Sequence, residues 1–304
     1  MRATATVHAR AALAGNPSDG FDGAVCAVRV PFLAATATVT SSSGAGAAND
    51  LPLVRAALDR YRVDVGDFGE VEVDVETSIP RSVGLAGSSA IVTAVLRALD
   101  ELTTTGSLSP MQIARLAHRA ERLDLGIAGG WQDQLVQSHG VSALVECNEP
   151  LRVTPLSAPP DPIPLYLAWS PGAGESSGRA HAQLRASTGR PTCTGSAEES
   201  NADSRLAKTM QELASLARVA ANAYEDRNIH QLKETIDATI GLRREIMDLN
   251  PAHSDMVDIA HGLGASANFA GSGGAIVGVL PKNGSTFTQR LVDAGYQVRT
   301  WDAQ

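Results

Sequence analysis

Lysine is nearly missing from this chain: its 304 residues include only Lys208, Lys233 and Lys282, all in the last third. A phosphate loop of the commoner kind, in which a lysine follows the glycines, is thereby excluded, because no lysine follows any early glycine-rich segment. Cysteine is scarce too. Cys26, Cys147 and Cys193 form no CxxC pair, which argues against a disulfide framework and a zinc site; burial as small apolar side chains is the expectation. No apolar run is long enough to span a bilayer, and Met1 to His8 has no hydrophobic signal core, so a cytoplasmic protein is expected. Cationic excess is absent as well. A net charge of −8 disfavours nucleic acid or an anionic membrane as partner, so any phosphate ligand must be held by local geometry.

What is present is an ordinary globular composition, 43% hydrophobic and 19% charged with 4% aromatic residues, long enough for one large or two moderate domains. Ile79-Pro80-Arg81-Ser82-Val83-Gly84-Leu85-Ala86-Gly87-Ser88-Ser89-Ala90 is a glycine- and serine-rich loop that runs into an amphipathic helix. Ile91, Ala94, Val95, Ala98 and Leu99 follow its core-facing stripe, and Val71 to Val75 alternates as a strand upstream. Strand, loop and helix in that order converge backbone N–H groups on a helix N-terminus, where anions bind. A helix start with serine caps is the plainer alternative.

Strands are expected from residue 3 to about 40, interrupted by the turn Gly15-Asn16-Pro17-Ser18-Asp19-Gly20. Leu51 to Arg62 reads as a helix, and Ser109-Pro110-Met111-Gln112 opens another with a capping box, its apolar face being Ile113, Leu116, Ala117 and Ala120. Val141 to Val145 and Leu165 to Trp169 read as strands, and Pro159, Pro160, Pro162 and Pro164 mark a linker that sets the domain boundary near 156. The polar stretch from Ser187 to Ser204 reads as a mobile surface loop. Helices over about 205–225, 229–248 and 253–263 follow, then a strand–helix–strand unit. Glu121 stands beside Ala117 and Ala120, where an unpaired carboxylate is costly, so a cation is expected to meet it.

The order Pro80-x-x-x-Gly84-Leu85-x-Gly87-Ser88-Ser89-Ala90 resembles the signature of the small-molecule kinases that include galactokinase, homoserine kinase, mevalonate kinase and phosphomevalonate kinase. Three other segments resemble the same family in the right order: Arg10 to Asp19, Gly129-Gly130-Trp131-Gln132-Asp133-Gln134, and Phe269-Ala270-Gly271-Ser272-Gly273-Gly274-Ala275. The resemblance implies an α+β fold of two domains, a ribosomal-protein-S5-like domain at 1–156 and a ferredoxin-like α/β domain at 157–304. It implies ATP and Mg²⁺ as cofactors, with Pro80, Gly84, Leu85, Ala86, Gly87, Ser88, Ser89 and Ala90 around the nucleotide and Ser89 and Glu121 on the metal. Asp133 is implied as the general base and Arg10 as its cationic neighbour.

Within the family the wording is nearest to the branch that phosphorylates glucuronate at its anomeric hydroxyl, while Trp131 to Gln134 leans toward the heptose-phosphate and fucose kinases. Asp19, Arg81, Gln132, Ser177, Arg179, His181, Arg185 and Gly273 are the implied sugar contacts, with Arg179, Arg185 and Arg81 the candidates for a uronate carboxylate. Three plainer alternatives stand beside these roles. Asp19 also suits a turn cap, Glu121 a buried ion pair, and the Gly271 to Gly274 cluster a tight strand connection. A sugar and ATP are the implied partners, and a ligand sensor on the same fold is the competing class.

Overall fold

The computed structural model describes residues 1–42, 51–103, 108–157, 161–172 and 197–303, the side chains of 197–203 and 303 excepted. The chain forms two compact units, each built from separate segments: 1–10, 29–80 and 86–141 in the first, and 11–28, 81–85 and 142–304 in the second. Strands β1 (Arg2–Ala14) and β2 (Ala24–Ser41) run through both. Helices and largely antiparallel sheets are mixed throughout, as an α+β fold requires.

In the first unit β2 pairs antiparallel with β3 (Val71–Thr77), and the hydroxyls of Thr4 and Thr38 and of Thr6 and Thr36 meet at 3.0 Å across β1 and β2. Partner numbers fall as strand numbers rise, the mark of an antiparallel register. Among the described residues four helices complete it: α1 (Pro52–Asp64), α2 (Gly87–Thr103), α3 (Pro110–Arg119) and α4 (Gln132–His139). Helix α2 packs against α1, α3, α4 and β3, so it is covered on nearly every side. Of the expected stripe Ala94, Val95, Ala98 and Leu99 are fully buried and Ile91 is half-buried, while Val92, Thr93 and Leu96 are enclosed as well. Helix α3 starts as its sequence dictates, with the Ser109 hydroxyl accepting from Gln112 N and the Gln112 side chain accepting from Ser109 N.

The second unit holds β4 (Ala143–Glu146) and β5 (Arg152–Pro155), which extend the first sheet from β2, and a separate antiparallel sheet. That sheet has the order β7 (Asn268–Phe269), β8 (Ala275–Val279), β6 (Ile163–Trp169), β9 (Gln297–Ala303). Helices α5 (Ala197–Glu225), α6 (Ile229–Ile246), α7 (Pro251–Gly262) and α8 (Gly284–Asp293) accompany it. Its core joins Tyr166, Ile240, Met256, Val257, Phe269 and Phe287, with Tyr166 and Phe287 edge to face at 4.6 Å.

Residues 197–204, expected within a surface loop, belong to α5; the helix continues through the polar Glu198-Glu199 pair because nothing there breaks its period. The rest of that stretch, Pro159, Pro160 and Cys193 lie outside the described residues. Cys26 and Cys147 are buried, as expected for small apolar side chains. Among the described residues no helix is long and apolar enough to cross a membrane.

Candidate active site

The loop from Ile79 to Ala86 is anchored by the buried side chains of Ile79, Val83 and Leu85. Between these anchors the backbone is contorted: Ser82, Gly84 and Ala86 have φ of 57°, 79° and 58°. An alanine in the left-handed region costs on the order of 1–2 kcal/mol and persists only where its surroundings hold it. Here Gln137 does so, donating from Nε2 to Ala86 O at 3.0 Å and to His8 O at 3.2 Å. Immediately beyond, α2 begins at Gly87, and its first N–H groups have no intrahelical acceptor.

Gly84 is required on two counts. Besides its positive φ, a Cβ there would lie 2.9 Å from Ser272 N and from Gly273 O. Gly84→Ala is therefore expected to lower stability by about 2–5 kcal/mol, strain and overpacking acting together. Denaturant midpoints measure it, and a loss below about 0.5 kcal/mol, the scatter of unimportant surface changes, would show that the loop gives way.

Helix α4 carries the next parts. Asp133 lies in its first turn, and the Arg10 guanidinium, buried at the middle of β1, donates to Asp133 Oδ1 from Nε at 2.7 Å with a second nitrogen at 2.6 Å. Both contacts fall on Oδ1, which leaves Oδ2 as an acceptor on a side chain that is 27% exposed. Trp131, just before α4, stacks on His118 of α3 with ring centroids 3.5 Å apart.

One helical position beyond Asp133, Gln134 turns to Glu121. The five residues Ala120–Asp124 form a π turn closed by Leu125 N donating to Ala120 O at 3.2 Å. The wide turn buries Glu121, whose oxygens accept from Ser89 Oγ at 2.9 and 2.8 Å and from Gln134 Nε2. Among the described residues the carboxylate is met by neutral donors, Ser88 included. Burial pushes its pKa up to about 7; the Ser89 bond opposes this and the Asp133 charge adds to it. A hydroxyl and a buried carboxylate are the hard oxygen donors that a magnesium ion takes together with phosphate oxygens, so this donor set fits one.

In the second unit, Asp19 is buried in a short 3-10 turn (Ser18–Phe21), Arg81 is exposed, and Gly273 has φ 131° with His253 Nδ1 3.0 Å from where a Cβ would stand. Gln132 is buried at the start of α4, and Pro80 is half-buried. Ser177, Arg179, His181 and Arg185 lie outside the described residues. The roles of Gln134 and Gln137 are additions; Gln137 lies three positions beyond Gln134 on the same helix, but an amide carries no signal of its own in a sequence.

With this geometry in view, the comparisons are specific. Residues 52–141 match the family model for the GHMP kinases N terminal domain. Galactokinase of Lactococcus lactis, solved with galactose, shares the fold with a TM-score of 0.78 at 16% identity, over 100% of this chain and 93% of that one. The chain thus has the GHMP kinase fold and carries a GHMP kinase N-terminal domain.

Among curated relatives, glucuronokinase 1 of Arabidopsis thaliana is 28% identical over 220 residues, 69% of this chain and 57% of that protein. A D-glycero-alpha-D-manno-heptose 7-phosphate kinase of Campylobacter jejuni is 42% identical over 64 residues, 21% of this chain and 19% of the relative. The matches therefore span little more than half the length of the glucuronokinase.

Proposed function

We propose that the protein is an ATP-dependent sugar kinase that phosphorylates an anomeric hydroxyl, with glucuronate as the substrate. The observation that carries this reading is the pairing of two unlike carboxylates in one unit: Asp133, held by Arg10 at 2.7 Å, and Glu121, buried and bonded to the Ser89 hydroxyl at 2.8 Å. The first suits proton acceptance and the second suits a metal.

In this mechanism Asp133 Oδ2 accepts the proton of the sugar O1 hydroxyl as that oxygen bonds to the γ-phosphorus and the bond to the ADP oxygen breaks. Arg10 fixes the rotamer of Asp133 and offsets negative charge around it. The N–H groups from Gly84 to Ala90 hold the phosphates in line, and alignment with charge stabilisation is most of what phosphoryl transfer asks of a protein. Ser89 and Glu121 would hold Mg²⁺, which when bound neutralises phosphate charge. Asp19 and Gln132 are assigned to sugar hydroxyls, Gly273 to the same substrate, and Arg81, Arg179 and Arg185 to the carboxylate with Ser177 and His181 beside them. Similarity to glucuronokinase over 69% of the chain supports the choice of sugar.

A second reading, a heptose-phosphate or fucose kinase, is favoured by Trp131-Gln132-Asp133-Gln134 and by the 42% identity over 64 residues. A coupled ADP-release assay across glucuronate, glucose, galactose, fucose and heptose phosphates separates the two. For a site built on the carboxylate, kcat/KM for glucuronate should exceed that for glucose by about 30-fold or more, since losing a buried charge partner costs about 2–5 kcal/mol. Equal rates on neutral hexoses would exclude uronate recognition; turnover of none of these sugars would remove the kinase reading.

A further inference from the structure

Arg243 of α6 is among the most deeply buried side chains of the second unit, 1% exposed, although a buried guanidinium carries a large desolvation cost. It is directed at the glycine-rich connection between β7 and β8. One terminal nitrogen donates to Phe269 O at 3.0 Å and Asn268 Oδ1 at 3.3 Å, and the other to Gly271 O at 2.7 Å. Its Cζ lies 5.4 Å from the Phe269 ring centroid. Two asparagines complete the lattice. Asn16 donates to Phe269 O and Gly271 O at 3.1 and 3.4 Å, and Asn268 donates to Asn16 Oδ1 at 2.9 Å and to Ala12 O at 3.2 Å.

Geometry carries this one peptide further. The bond from Gly271 to Ser272 is trans, so its C=O and N–H point in opposite directions. With the Gly271 oxygen drawn to Arg243, the Ser272 N–H is turned away from it. Close beside this peptide stands the loop at Gly84, for a Cβ on Gly84 would be 2.9 Å from Ser272 N and 3.2 Å from Gly273 N. A charge-assisted bond to the carbonyl also polarises the peptide and strengthens its N–H as a donor.

We propose that Arg243 is a positioning residue of the phosphate-transfer site: it fixes and polarises the Gly271–Ser272 peptide so that the Ser272 N–H is presented to the phosphoryl group beside Gly84. This rests on the reading of residues 84–90 as a phosphate loop, and the test keeps the two apart. Protein labelled with ¹⁵N at serine and glycine is titrated with magnesium and a non-hydrolysable ATP analogue. In the wild type the Ser272 amide should shift together with Gly84, Gly87 and Ser88. In Arg243→Lys, whose single ammonium cannot fork to two carbonyls, the Ser272 shift should largely vanish while those of Gly87 and Ser88 persist. Turnover should fall about tenfold or more at unchanged KM for the sugar, in the range expected for a weakened oxyanion donor.

A wild-type Ser272 amide that stays still while the loop amides move would overturn the role of Arg243 and spare the loop; still amides everywhere would overturn the loop reading itself. An Arg243→Lys protein with wild-type shifts and turnover would reduce Arg243 to packing. Should that variant not fold, the wild-type titration decides alone.

Discussion

Asp133→Asn should lower kcat by about 10²-fold or more with nucleotide affinity nearly unchanged, the loss expected when a general base is removed. Asparagine keeps the shape and keeps Oδ1 for the two Arg10 contacts at 2.7 and 2.6 Å, so the positioning of α4 survives. What is lost is an anionic Oδ2 able to take a proton. The substitution also replaces the charged acceptor of the buried Arg10 guanidinium with a neutral one, and weakening a buried pair from one side lowers stability. Rates should therefore be measured well below the unfolding transition. Turnover above about half that of wild type would remove Asp133 from the chemistry.

Glu121→Gln should have an opposite sign in stability and in activity. In the metal-free protein burial raises the Glu121 pKa from 4.5 to about 7, so between these values the folded state holds a proton that the unfolded state has released. The side with more bound protons is favoured by acid; stability should fall as pH rises through that window and level off above it, by about 3 kcal/mol in all. Glutamine cannot ionise. Gln134 can present its unpartnered Oε1 to the new amide by turning its own amide over. The variant should therefore melt several degrees above wild type at pH 8 without metal and no higher at pH 5, while requiring much more magnesium for turnover. A variant less stable than wild type at pH 8, with an unchanged magnesium titration, would return Glu121 to a structural role.

The parts of this site that the sequence makes legible are those whose geometry is local. The Ser109 capping box, Pro110 at the first turn of α3 and the strand–loop–helix order around Gly84 follow from residues within a few positions of one another. Arg10 and Asp133 are 123 positions apart, and only the resemblance to known kinases put them side by side. The neutral shell of Ser88, Ser89 and Gln134 around Glu121 was not legible, because hydroxyls and amides carry no mark of the carboxylate they meet; it leaves the pKa of Glu121 raised. Arg243, Asn16 and Asn268 were invisible because they bond to backbone oxygens up to 256 residues away, and a backbone acceptor has no residue type to read. The near-complete burial of α2 was hidden for a related reason: alanine and valine fit any face, so periodicity marks one side and cannot show that the others are covered.

The π turn at Ala120–Asp124 gives the chain a gauge of length as well as a carboxylate. An α-helix advances by about 100° per residue, so deleting one residue from the turn would let α3 wind on in ordinary register and swing position 121 about a quarter of the way round the axis, off its line to Ser89. Exchanging one apolar residue for another at Ile113, Leu116 or Ala117 would leave that line where it is. Over this stretch, then, the number of residues sets where the carboxylate stands more strictly than their apolar identities do.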